Sequence, residues 1–106
     1  MDAVDDLAYY LAEWYLPELT DKSVDDVVAK LDAAAMSVSG EGAPIRLLVT
    51  LAVPGDEVLY GVFGANSPDI VSRTCLKAGV PHQRLSGDVG TKIRLPVPEV
   101  ADYRAM

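Results

Sequence analysis

The run Ala8-Tyr9-Tyr10-Leu11-Ala12-Glu13-Trp14-Tyr15-Leu16-Pro17 decides how this chain is read. It is apolar and aromatic at nearly every position, is broken only by Glu13, and stops at a proline. A strand so apolar on both faces is central in its sheet and covered twice. One face carries Tyr9, Leu11, Glu13 and Tyr15, the other Tyr10, Ala12, Trp14 and Leu16.

Downstream, the punctuation repeats a plan. A helix opens behind Ser23, read as its N-cap, with Asp25 and Asp26 complementing the dipole in the first turn. Val24, Val27, Val28, Leu31, Ala35 and Val38 form its apolar stripe, and Gly40 and Gly42 close it. Strand two alternates Ile45, Leu47, Val49, Leu51 and Val53 against Arg46, Leu48, Thr50 and Ala52. Pro54-Gly55-Asp56-Glu57 is a turn by composition. Strand three, Val58 to Ala65, contains Gly61 and Gly64, and strand glycines mark a bulge or a close approach. The second helix has Ser67 as N-cap, Pro68 at its first position and Gly79 past its end. A last strand is expected from Gln83 to about Val89. The order β-α-β-β-α-β predicts an α+β fold: a ferredoxin-like βαββαβ sandwich, a four-stranded antiparallel sheet with two helices on one face. The domain spans 8–89, after a lead-in over 1–7 with little to pack. In the tail, 90–106, Thr91-Lys92-Ile93-Arg94-Leu95 alternates like a short extra strand.

Composition narrows the class. The 106 residues suit one domain. A net charge of −7 argues against nucleic acid, which clustered Lys and Arg would bind. No apolar run is long enough to span a bilayer, and the first residues are acidic where a secretory signal is basic. Cys75 is the single cysteine, so no intrachain disulfide forms and a reducing cytoplasm is the expected compartment. Because strands one and two are apolar on both faces and the helices cover one, the open face calls for a partner. A second copy, sheet against sheet, is the economical one.

The segment Tyr10-Leu11-Ala12-Glu13-Trp14-Tyr15-Leu16-Pro17 resembles the opening of a family of small bacterial ferredoxin-like proteins, long of unknown function, with one nickel-binding member. Gly42-Ala43-Pro44-Ile45-Arg46-Leu47-Leu48, Val53-Pro54-Gly55-Asp56-Glu57, Ala65-Asn66-Ser67 and Ala78-Gly79-Val80-Pro81-His82-Gln83-Arg84-Leu85 continue the likeness in order. Gly64 stands where members often carry Glu, and Leu59-Tyr60 where they often carry Cys and Phe. The resemblance implies the fold, a dimer of the α+β barrel type and, as a cofactor, a divalent metal such as nickel.

Several residues are candidates for chemistry. His82, the one histidine, is the candidate metal ligand, although nickel sites assemble several donors. Cys75 falls on the inner stripe of helix two and reads as core. Glu13 is the sharpest, because a carboxylate inside an apolar strand must be paired, hydrogen-bonded or functional. Arg46 and Arg84 are its candidate partners, and Tyr9, Tyr15 and Tyr60 line the cleft it would anchor. The candidate ligand-binding residues are therefore Glu13, Tyr15, Arg46, Tyr60 and Arg84, and no catalytic residue is assigned. The leading expectation is a cytoplasmic homodimer that binds a small ligand or a divalent metal. Two alternatives stay open: a cofactor-free, monooxygenase- or isomerase-like enzyme with an aromatic-lined pocket on the open sheet face, and a structural or accessory interaction domain.

Overall fold

The computed structural model describes residues 7–90. The chain runs β1 (Ala8–Tyr15), α1 (Asp21–Gly40), β2 (Ile45–Val53), β3 (Val58–Ala65), α2 (Pro68–Lys77) and β4 (Arg84–Ser86), with a 3₁₀ turn at Pro54–Asp56. The four strands form one antiparallel sheet in the order β2-β3-β1-β4. This is the ferredoxin-like α+β arrangement, with β1 and β3 in the centre.

The core lies between one sheet face and the two helices. Tyr10, Ala12 and Trp14 of β1 and Leu59, Phe63 and Ala65 of β3 meet Val27, Leu31 and Val38 of α1 and Val71 and Cys75 of α2. Trp14 is its largest member: 1% exposed, edge-on to Phe63 with ring centroids 6.4 Å apart, its indole N–H donating to the Val80 carbonyl at 2.8 Å. Gly61 makes room for it. A Cβ there would lie 3.0 Å from the Trp14 ring and 3.3 Å from Leu47, so a close approach explains this strand glycine.

Local chemistry sets the element ends, with some departures from expectation. The N-cap of α1 is Thr20, not Ser23. The Thr20 hydroxyl accepts from the Ser23 N–H at 3.1 Å while the Ser23 hydroxyl accepts from the Thr20 N–H at 2.8 Å, a reciprocal box that starts the helix earlier. Ser67 and Pro68 open α2 as expected, and Gly79 follows its end at a φ of +79°. β4 holds three residues rather than reaching from Gln83 to Val89, although the Val89 N–H still donates to the Tyr9 carbonyl at 3.4 Å. In the lead-in, Leu7 is buried, and its side chain lies over Gly64. Residues 1–6 and the tail segment Thr91–Leu95 lie outside the described residues.

β2 departs most from a simple alternation. Its register against β3 slips between Leu47 and Val49, so that Leu47 opposes Phe63 while Val49 opposes Val62. One extra residue in a strand turns every later side chain to the other face. Ile45 and Leu47 face the helices, but Val49, Leu51 and Val53 join the open face, and Thr50 and Ala52 turn inward. The bulge therefore adds apolar surface to the uncovered side of the sheet.

Candidate functional site

The open face is read directly from the pairing. Residues opposite one another in an antiparallel sheet share a face. Leu51 of β2 opposes Tyr60 of β3, Tyr60 opposes Glu13 of β1, and Glu13 opposes Arg84 of β4. One rung thus runs Leu51–Tyr60–Glu13–Arg84 across all four strands. Val49, Val62, Leu11 and Ser86 form the rung on one side; Val53, Val58 and Tyr15 form that on the other.

This face is apolar and uncovered. Leu51 is 59% exposed and Tyr15 54%, and Leu48, Val53 and Tyr9 are exposed beside them. Within it Glu13 is only 9% exposed, a carboxylate sunk among hydrocarbon and aromatic neighbours. Its companion is Arg84, whose Nε stands 3.8 Å from Glu13 Oε2 with a largely solvated side chain. An ion pair so exposed on one side contributes at most about 1 kcal/mol. At that distance it is not a hydrogen bond, and the carboxylate keeps capacity to accept. The backbone around the pair is firmly held: the Gln83 N–H donates to the Glu13 carbonyl at 2.8 Å, and the Gln83 side-chain oxygen accepts from the Tyr15 N–H at 2.9 Å.

Four of the expected ligand-binding residues, Glu13, Tyr15, Tyr60 and Arg84, therefore meet on one patch. Arg46 does not join them. It opposes Gly64, two rungs from Glu13, which separates them by roughly 13 Å along the strands alone. The exposed Leu48 and Leu51 of β2 were not among the expected site residues. The β2 segment alone carried no signal for them, since only its pairing with β3 reveals the slip.

His82 sits elsewhere, against α2. Its Nε2 is 3.0 Å from the Ser72 hydroxyl, and its Nδ1 is buried without a hydrogen-bond partner. A nucleophile–base pair would require a third group to orient the ring through Nδ1, and none is provided. Among the described residues no three His, Cys, Asp or Glu side chains cluster to hold a metal ion. His82 packs on the helix side of the sheet, and Glu13 stands on the opposite face.

Cys75 is fully buried in the core, and burial pushes its thiol up to about 12. The thiolate is the reactive form. We expect Cys75 in the folded protein to resist a disulfide reagent at pH 8 and to react at once in concentrated guanidinium, as followed by thiolate release. Because its folded pKa is raised, the stabilisation it reports is complete below about pH 9 and is lost as pH climbs toward 12.

No helix among the described residues is long and apolar enough to cross a membrane. No protein-family model matches the chain, and no curated protein does. Among solved structures it is similar to SCO4226 from Streptomyces coelicolor A3(2), at 13% identity with a TM-score of 0.69, over 79% of this chain and 100% of that one. At that identity the likeness carries the fold alone: a small α+β domain of the same architecture.

Proposed function

We propose that this protein is a small-ligand-binding homodimer in which two copies appose their open sheet faces and Glu13 anchors the polar end of the ligand. One observation carries the reading: a single, nearly buried carboxylate at the centre of an uncovered apolar sheet face. Exposed apolar surface of this kind, rimmed by polar groups, marks an interaction site. A carboxylate with accepting capacity to spare selects a donor, and its aromatic neighbours Tyr60 and Tyr15 favour a flat or apolar body. The ligand class that matches is an apolar molecule with one amine or hydroxyl donor. The metal alternative rests on the sequence resemblance, since the described donors form no cluster.

Thermal shift with matched small molecules tests this. Arylalkyl amines should stabilise the protein, by about 1.4 kcal/mol at ten times their dissociation constant, and the corresponding carboxylates should not. Glu13→Gln should erase that preference while leaving the fold intact. Equal stabilisation by amines and carboxylates, or a preference unchanged in Glu13→Gln, would contradict the assignment.

A further inference from the structure

The cation beside Glu13 is placed firmly by its strand but held loosely at its tip. Leu85 of β4 packs against the core, so its neighbours Arg84 and Ser86 turn to the open face. The Gln83 N–H donates to the Glu13 carbonyl at 2.8 Å and fixes the register that sets Arg84 directly across from Glu13. Arg46, the other described cation of this face, stands two rungs away. The Arg84 side chain is nevertheless 71% exposed, and its Nε lies 3.8 Å from Glu13 Oε2, beyond hydrogen-bond range.

This placement bears on the charge of whatever reaches Glu13. A guanidinium carries a full positive charge and donors only, so it cannot bond to an incoming donor and can only share the carboxylate with it. An ammonium at that carboxylate is attracted by Glu13 and repelled by Arg84 a few ångströms farther off, and the two effects largely cancel. A hydroxyl makes its hydrogen bond to the carboxylate and meets no such repulsion. Burial sharpens the difference. Glu13 and Arg84 already sum to zero, so an added ammonium leaves a net positive charge between the two apolar faces, where uncompensated charge is costly. A hydroxyl leaves none.

We propose that Arg84 is the specificity-determining residue of this site: by neutralising Glu13 it favours an apolar ligand with an uncharged donor, an alcohol, over one with an ammonium. The proposal rests on the reading of Glu13 as the ligand's anchor. Glu13 itself supplies the other half of the selection, because it repels a ligand carboxylate that Arg84 alone would attract.

The test is calorimetric titration of the full chain at low salt and neutral pH with two matched probes, phenethyl alcohol and phenethylamine. The wild type should bind the alcohol at least as tightly as the amine. Arg84→Gln should tighten the amine at least about fivefold and leave the alcohol within about twofold, which also shows that the fold and the anchor survive the substitution. Arg84→Lys keeps the charge and should keep the wild-type order. A wild type that prefers the amine, or an amine affinity unmoved by Arg84→Gln, overturns the proposal, and Glu13 stands as the anchor if Glu13→Gln still weakens the amine. Parallel changes in both probes give Arg84 a purely structural role and overturn it equally. If neither probe binds the wild type, the anchor reading falls and this proposal with it.

Discussion

Replacing Trp14 by Ala will remove about 3–5 kcal/mol of folding stability, a large share of the roughly 5–15 kcal/mol that holds a domain of this size. Trp14 is 1% exposed, spans from the sheet to the end of α2, and is fitted against a strand with no side chain at Gly61. Truncation empties the space between Gly61, Phe63 and Leu47, and the sheet backbone cannot collapse into it. It also leaves the Val80 carbonyl without its donor. Urea unfolding followed by circular dichroism measures the loss, since the substitution removes the only tryptophan as a fluorescent reporter. Trp14→Phe separates the terms: it keeps most of the aromatic volume and should cost about 1–3 kcal/mol, chiefly the unpaired carbonyl. A loss below about 1 kcal/mol in Trp14→Ala would contradict the packing described for this core.

The second large effect is expected on association rather than folding. Leu51→Arg should raise the dimer dissociation constant about a hundredfold or more while leaving the monomer's stability within about 0.5 kcal/mol. Leu51 is 59% exposed in the single chain, so the folded monomer accepts a charge there readily. In a two-fold pairing of open faces each substitution is counted twice, once per copy. Each removes a leucine from an apolar contact and places a guanidinium where its hydration would be stripped. Leu76→Arg is the matched control on the helix layer, also exposed and outside the sheet face. It should leave sheet-to-sheet pairing within about threefold of wild type. Equal effects from the two substitutions would remove the open face from the account.

The fold was legible because each boundary carried its own chemistry. Ser67-Pro68 and Gly79 bracket α2 by cap and left-handed turn, and both ends stand where the residues put them. The two-sided apolarity of β1 announced a central strand, and β1 lies between β3 and β4. The β2 bulge was not legible, because Ile45 to Val53 alternates plausibly in either register and only pairing with β3 selects one. That single slip turns Leu51 and Val53 outward and completes the apolar face. The start of α1 was misplaced for a related reason: Thr20 and Ser23 are both good caps, and their reciprocal hydrogen bonds make one the cap and the other the third helical residue. At the site, Glu13 stood out as the one charge in its strand, and Arg84 lies across from it. The distance of Arg46 depended on a sheet register that its own segment does not encode.

The proposed pairing makes the rung Leu51–Tyr60–Glu13–Arg84 part of a buried interface rather than a solvated surface. Sedimentation equilibrium of the wild-type chain, from about 1 to 100 μM, examines this most directly, because even a weak specific dimer of about 10 μM affinity is worth nearly 7 kcal/mol and must appear in that range. Face-to-face pairing predicts a species of twice the chain mass that grows with concentration and is lost in Leu51→Arg. A single species of one chain mass throughout would contradict it.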